Sequence, residues 1–262
     1  MKYGVCGNHE IAGMAAQAGY DYFEDTVGGF LKPRESAEAF ATRLAQVRQT
    51  GLNCPVVNVF VPADLKITGP AVDLNALEQY VTATCARAEE AGIDTIVFGS
   101  GGARRIPDGF DRALAWDQLV TFGKMTAQVA AQRHITIVVE PLNLAECNVI
   151  NSVGEGAALV REVNHLAFRL LADAYHMLKD NDPMQAITEH GALIMHTHIA
   201  TLPNRFSPGA EPCDLLPFFK ALVQSGYDGR ISVEGKISYA VADLAAALAH
   251  IKTLQAQARE SK

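Results

Sequence analysis

Acidic and histidine side chains end four successive apolar runs in the second half of the sequence. They are Glu140, Asp173, His198 and Glu234, and the intervals between them are 25 to 36 residues. One strand and one helix of an α/β barrel need about that length. Three carboxylates and an imidazole form a hard, oxygen-rich donor set, which favours Mn²⁺, Mg²⁺ or Co²⁺ over thiophilic ions. The pattern therefore predicts one divalent metal site.

A simpler interpretation exists for each of these acids taken alone. A carboxylate at a strand end can be ion-paired or solvated without binding any metal. Four such residues on consecutive strand ends favour the metal, because carboxylates crowded at an apolar barrel mouth repel one another unless a cation lies between them. His196 lies two residues before His198 on the same strand face. We expect His196 to be a buried, hydrogen-bonded histidine rather than a further ligand.

The elements that must position these residues are short apolar runs separated by stretches of helical period. Three joints read alike, each predicting a helix closed by a left-handed glycine: Ala18-Gly19-Tyr20-Asp21, Ala91-Gly92-Ile93-Asp94 and Ser225-Gly226-Tyr227-Asp228. Asp73 and Asp214 stand where helix N-caps belong. The predicted strands are Tyr3–Gly7, Tyr20–Glu24, Val56–Val61, Thr95–Gly99, Ile135–Glu140, Ala167–Ala172, Leu193–Ile199 and Arg230–Glu234.

Eight strands in this alternation predict an α/β fold, a single TIM-type (β/α)8 barrel that forms one catalytic domain over residues 1–262. In such a barrel the active site lies at the carboxyl ends of the strands. A doubly wound sheet is the main alternative. A doubly wound sheet that binds a dinucleotide is disfavoured. The glycine cluster Gly99-Ser100-Gly101-Gly102 lacks the G-x-G-x-x-G spacing and follows the fourth strand rather than the first.

Composition limits the classes of partner. The chain has 49% hydrophobic and 19% charged residues, enough apolar surface for a sizeable core. Its net charge of -7 and the lack of a long basic run argue against nucleic acid as a partner. No apolar run reaches the ~20 residues of a membrane span, and the start has no signal-like apolar core. The five cysteines form no C-x-x-C. We expect a cytoplasmic protein with reduced thiols and no membrane partner.

The stretch Glu140-Pro141-Leu142-Asn143 resembles the E-P-L-N of ketose 3-epimerases. Over its whole length the chain is similar to the xylose-isomerase-like sugar phosphate isomerase/epimerase superfamily. In that family the metal is held by the glutamate of E-P-L-N, an aspartate on the next strand, the second histidine of an H-x-H strand and a glutamate ending the last strand. The resemblance implies the same four ligands here, with Mn²⁺ as the first expectation, and a dimeric or tetrameric homo-oligomer.

The resemblance also implies substrate contacts at Glu146, His176 and Arg205, with solvated surface charges or a surface histidine as the alternative. His9, just past the first strand, is a further candidate substrate contact. One departure lies in the loop that carries Arg205, where Ile199-Ala200-Thr201 stands in place of the T-G-E usual in these epimerases.

A second departure concerns basic residues near the mouth. Arg104 and Arg105 in the loop after the fourth strand, with Lys236 in place of an aromatic residue, could bind a phosphate or carboxylate. The alternative is that the two arginines pair with Asp108 or Asp111. The substrate is thus expected to be a sugar or a sugar phosphate.

On a ketose, this constellation implies 3-epimerisation through a cis-enediolate. Glu140 and Glu234 would face its two sides, one removing the C3 proton and the other returning it to the opposite face. The same groups could perform aldose–ketose or hydroxypyruvate-type isomerisation, or act as a dehydratase on a sugar acid or an inosose. A metabolite-binding barrel is the non-enzyme alternative, which two opposed carboxylate bases disfavour. An abasic-site endonuclease of the same fold would need a basic groove, and the net charge argues against one.

Overall fold

Eight parallel strands pair in chain order, and the last strand closes on the first. In this computed structural model, which describes residues 1–260, β8 pairs with β1 from Lys2–Arg230 to Val5–Val233. The fold is therefore the expected TIM-type (β/α)8 barrel; residues 261 and 262 of the expected 1–262 domain lie outside the described range. The strands are β1 Lys2–Cys6, β2 Tyr22–Thr26, β3 Val56–Asn58, β4 Thr95–Phe98, β5 Thr136–Val139, β6 Phe168–Asp173, β7 Ile194–Ile199 and β8 Arg230–Val233.

Helices occupy the connections. They are α1 His9–Ala18, α2 Ala37–Gln49, α3 Leu74–Ala91, α4 Gly101–Arg104, α5 Arg112–Ala131, α6 Val153–Val163, α7 Ala174–Asp180, α8 Gln185–His190, α9 Leu216–Ser225 and α10 Val241–Glu260, with a π-helical turn at Val27–Leu31 and a 3-10 turn at Gly191–Leu193. None of the helices within residues 1–260 has both the length and the apolar character needed to cross a membrane.

The predicted helix ends are confirmed at the three repeated joints. Gly19, Gly92 and Gly226 close α1, α3 and α9 with φ of +92°, +75° and +78°. Asp73 caps α3 by accepting a hydrogen bond from the Ala76 amide. Asp214 is not the N-cap of α9, because the helix begins one residue later than expected, although its carboxylate still accepts from the Leu216 amide at 3.1 Å.

A small cluster of apolar side chains is buried apart from the main core. It draws one residue from each of five adjacent strands: Tyr22, Val56, Val97, Val138 and Leu171. Side chains that point into a TIM barrel fill it in this way. A β-carbon on Gly4 would lie 2.1 Å from the Tyr22 ring, so β1 must carry a glycine beside it. The filled interior provides a closed floor beneath the strand ends.

The third strand is shorter than predicted. The apolar run Val56–Val61 suggested a strand of six residues, but β3 ends at Asn58. Val59 has φ of +52° and a side chain that is 55% exposed. A β-branched residue in the left-handed region is strained, and such strain is commonly found at functional sites. The chain thus leaves the sheet early and exposes Val59 at the barrel mouth.

Arg104 is a buried structural residue rather than an anion-binding or surface-paired one, so both interpretations of it from sequence are wrong. Its side chain is fully buried and donates to three carbonyl oxygens, those of Phe98 at 3.0 Å, Glu140 at 2.8 Å and Ile150 at 3.3 Å. Burial lowers the pKa of its guanidinium. Arg104 therefore ties the ends of β4 and β5 to the following loop and fixes the backbone of Glu140. Arg105 and Lys236 are exposed.

Arg104→Met should destabilise the protein by about 3 kcal/mol or more, because the methionine preserves volume but leaves buried carbonyl oxygens without donors. The measurement is urea unfolding at fixed pH. The neighbouring exposed arginine supplies the matched control, and Arg105→Met should change the free energy of unfolding by no more than about 0.5 kcal/mol. Equal effects of the two substitutions would contradict the structural role assigned to Arg104.

Candidate active site

The four predicted ligand residues lie together at the carboxyl ends of β5 to β8. His198 Nδ1 is 3.0 Å from Glu140 Oε1 and 3.5 Å from Glu234 Oε2. Glu140, Asp173 and Glu234 each place a ligand atom within 4.8 Å of the others and of His176. His176 is therefore an additional residue close enough to act as a ligand.

The donor set fits a divalent cation. Asp173 Oδ1 accepts from the Tyr175 amide at 2.7 Å, whereas its Oδ2 is buried without a hydrogen-bond partner in the described chain. His176 Nε2, 3.5 Å from Asp173 Oδ2, is likewise unpartnered within residues 1–260. Buried polar atoms rarely remain unsatisfied, and a cation among these carboxylates would satisfy them.

The charges of the cluster are strongly coupled. Burial and the neighbouring Glu234 raise the pKa of Glu140, and the same two causes raise the pKa of Asp173 to about 6. Although burial opposes it, the positive charges of His198 and Arg205 lower the pKa of Glu234 to about 2. A cation would favour the ionised form of all three carboxylates.

Glu24 on β2 holds the imidazole of His198 from behind. Its Oε1 accepts from His198 Nε2 at 3.0 Å, and its Oε2 accepts from His196 Nε2 at 2.9 Å and from Ser232 Oγ at 2.7 Å. His196 is therefore the buried, hydrogen-bonded histidine that was predicted. Because Nε2 of His198 is occupied by Glu24, Nδ1 is the nitrogen that faces the carboxylates, 3.0 Å from Glu140 Oε1, and it is the one that a metal would bind in place of this contact.

The three substrate residues implied by the resemblance border the carboxylate cluster. Arg205 donates to Glu234 Oε2 at 2.5 Å and to Glu146 Oε1 at 3.2 Å, and it lies over the Tyr175 ring. Asn143 bridges Glu146 and His176: its Nδ2 lies 2.8 Å from Glu146 Oε1 and 2.7 Å from His176 Nδ1. His176 is thus held with Nε2 directed at the cluster.

His9 lies apart from this group. Its ring hydrogen-bonds with Arg43 of α2, and it does not line the cavity at the cluster. Its expected role as a substrate contact stays a prediction.

The cluster opens into a cavity of about 370 Å³, here called the catalytic lobe, which is lined by Glu140, Glu146, His176, Arg205 and Glu234 together with Asn58, Val59 and the Gly99–Gly102 loop. A β-carbon on Gly99 would lie 2.4 Å from Glu140 Oε2, so the glycine makes room for the carboxylate. The volume lies within the roughly 300–1,000 Å³ typical of small-molecule sites.

Several side chains that contact the candidate site were missed from the sequence. Glu24 ends the predicted second strand, so examining the ends of all eight strands would have found it. Asn58, which ends β3 and donates to Glu234 Oε1 at 3.3 Å, would have been found in the same way had the strand not been predicted too long. Cys6, at the end of β1, lies beside His198 and Glu234. Asn143 stood within the quoted E-P-L-N but received no role.

Comparison with known proteins agrees with this geometry. Residues 13–256 match the family model described as the xylose isomerase-like TIM barrel. The 3-dehydro-D-guloside 4-epimerase of Escherichia coli strain K12 is 29% identical over 63% of this chain and 64% of its own length. The L-ribulose 3-epimerase of Methylomonas sp. strain DH-1 is 28% identical over 86% of this chain and 76% of its own.

The solved structure of D-psicose 3-epimerase with D-tagatose from Clostridium cellulolyticum H10 superposes with a TM-score of 0.81. The superposition covers 97% of this chain and 99% of the psicose 3-epimerase chain. At 20% sequence identity, this similarity supports the fold but not a shared function. These two sequence relatives are sugar epimerases, and together with the family match they confirm the resemblance inferred from the E-P-L-N motif. The chain belongs to the xylose isomerase-like TIM barrel family.

Proposed function

We propose that the protein is a divalent-metal-dependent sugar epimerase, which inverts a carbon next to the carbonyl of a keto sugar. The observation that carries this proposal is that Glu140 and Glu234 reach one cavity from β5 and β8, strands separated by two others around the barrel. Two carboxylates that approach a planar intermediate from different sides are what inversion by proton transfer requires.

The roles follow from the contacts. One of Glu140 and Glu234 acts as the base that removes the proton of the reacting carbon. The other acts as the acid that returns a proton to the opposite face. Asp173, His198 and the same two glutamates would hold the metal, which supplies stabilisation of the negative charge that develops on the substrate oxygens. Arg205 and His176 lie beside the carboxylates and would bind the substrate's hydroxyl groups, and Glu146 and Asn143 keep them in place.

Finer features are part of the same proposal. We favour Mn²⁺ over Mg²⁺ or Co²⁺, a homo-oligomer and a cytoplasmic location. The named relatives act on a 3-dehydro-guloside and on ribulose, both keto sugars, which supports a keto sugar as the substrate here. A phosphorylated substrate is less favoured, because Arg104 is occupied by backbone carbonyls.

Turnover in deuterated water tests the proposal. The Mn²⁺-loaded protein incubated with D-fructose, D-psicose or D-tagatose should give a C3 epimer with solvent deuterium at C3, because the carboxylate that returns the proton differs from the one that took it. Proton NMR and mass spectrometry measure the label. Metal-stripped protein is the control and should give no epimer.

The other outcomes identify other reactions. An unlabelled product would indicate hydride transfer, and a product lighter by one water would indicate a dehydratase. Label that appears at the neighbouring carbon of an aldose would indicate an isomerase. Each of these results would contradict epimerisation by proton transfer.

A further inference from the structure

A second cavity adjoins the catalytic lobe at the barrel mouth. It measures about 530 Å³ and shares Asn58, Val59 and Glu234 with the catalytic lobe. Its remaining wall comes from the ends of β1 and β2, from α2 and from the segment after β8, and it includes Asp25, Arg43 and Tyr239. We call this cavity the distal lobe. The proposed epimerisation gives no role to the part of this cavity that lies beyond Glu234.

The distal lobe carries buried polar groups that lack partners. Asp25 is 3% exposed; its Oδ1 accepts from the Thr26 amide at 2.7 Å, but its Oδ2 has no hydrogen-bond partner among the described residues. Nε of Arg43 and Oδ1 of Asn58 are also buried and unpartnered within residues 1–260. Burial raises the pKa of Asp25 to about 6, against the pull of the Thr26 amide and of Arg43. Two acceptors and one donor of residues that line the distal lobe therefore lack a hydrogen-bond partner within residues 1–260.

Apolar surface faces the same space. Tyr239 and Val59 line the distal lobe and are 50% and 55% exposed. An exposed aromatic ring beside a carboxylate and a guanidinium suits a ligand with apolar C–H faces and hydroxyl edges. The opposite charges of Asp25 and Arg43 favour an uncharged ligand over a phosphate, because the carboxylate would repel an anion bound at the guanidinium.

We propose that the distal lobe binds a second, uncharged sugar unit, so that the substrate is a glycosylated keto sugar rather than a free ketose. This inference rests on the proposed function for the position of the reacting unit in the catalytic lobe. Glu234 lines both cavities, so a keto sugar bound there would direct its substituent past Val59 towards Asp25 and Arg43.

Calorimetry with Mn²⁺-loaded protein tests the distal lobe. The probes are fructose, isomaltulose, which is fructose with a glucosyl unit on O6, and fructose 6-phosphate. Isomaltulose should bind at least about tenfold more tightly than fructose, and fructose 6-phosphate should gain no such advantage. Equal or weaker binding of isomaltulose would overturn the proposal. So would tightest binding of fructose 6-phosphate that is lost in Arg43→Gln, because that result marks an anion site.

Variants locate the effect. Arg43→Gln and Tyr239→Ala should each reduce the advantage of isomaltulose over fructose to less than about threefold. Tyr239 is half exposed, so its truncation leaves the fold intact even if the loss of Arg43 disturbs α2. Arg34→Gln is the matched control: this exposed arginine pairs with Asp64, lies outside both lobes and should leave the advantage unchanged.

Binding and turnover separate the two proposals. Preferential binding of isomaltulose without epimerisation of any ketose would support sugar binding in the distal lobe and contradict the proposed function. Deuterium incorporation into fructose without any binding preference would support the proposed function and contradict sugar binding in the distal lobe.

Discussion

Glu140→Gln and Glu234→Gln should each lower the rate of epimerisation by about 10² to 10⁴. An amide cannot take or return the proton, and both faces of the intermediate are needed for inversion. The amide oxygen can still serve as a metal ligand, so the rate should be measured at saturating Mn²⁺, with bound metal determined on the same samples. This design separates loss of the base from loss of the ion.

The two variants should differ in what they retain. Each keeps one carboxylate, so one of them should still exchange solvent deuterium into unreacted substrate from its surviving face. The matched control is Glu78→Gln on the exposed surface of α3, which should turn over at the wild-type rate. Near-normal turnover in either site variant would rule out the two-glutamate mechanism.

The sequence was sufficient to predict which four side chains meet at the barrel mouth, because the barrel repeats. Each βα unit returns the chain to the same end of the sheet, so residues that end successive strands must converge. Glu140, Asp173, His198 and Glu234 could be found from that rule without any knowledge of side-chain contacts. Seven of the eight strands were predicted to within two residues at each end for the same reason, since apolar runs and left-handed glycines mark them directly, whereas β3 was predicted three residues too long.

The residues that the sequence did not predict depend on contacts between distant segments. Arg104 looked like a loop cation, and only the positions of the Phe98, Glu140 and Ile150 carbonyls show that it belongs to the interior. Asp25 is unremarkable in sequence until Arg43, from the following helix, is seen to line the same cavity. Periodicity reports which face of an element is buried, but it does not report which side chains meet across a barrel.

Glu24→Gln should weaken Mn²⁺ binding by about 10- to 100-fold, the usual effect of removing the partner that orients a metal-binding histidine. The carboxylate of Glu24 accepts three hydrogen bonds, from His196, His198 and Ser232. A glutamine presents an N–H₂ to at least one of these groups in place of an oxygen. The imidazole of His198 then loses the contact that keeps Nδ1 directed at Glu140 and Glu234.

The experiment measures Mn²⁺ affinity by calorimetry and turnover as a function of Mn²⁺ concentration. If Glu24 acts only through His198, excess Mn²⁺ should restore most of the turnover, because the proton-transferring glutamates are untouched. Glu24, His196 and His198 also form a buried group that could itself hold an ion. If excess Mn²⁺ fails to restore turnover in Glu24→Gln, the result would favour an ion held by Glu24, His196 and His198. An unchanged Mn²⁺ affinity would show that Glu24 does not position His198. Ser232→Ala removes one donor to Glu24 and keeps its carboxylate, so it should give a smaller loss of affinity than Glu24→Gln.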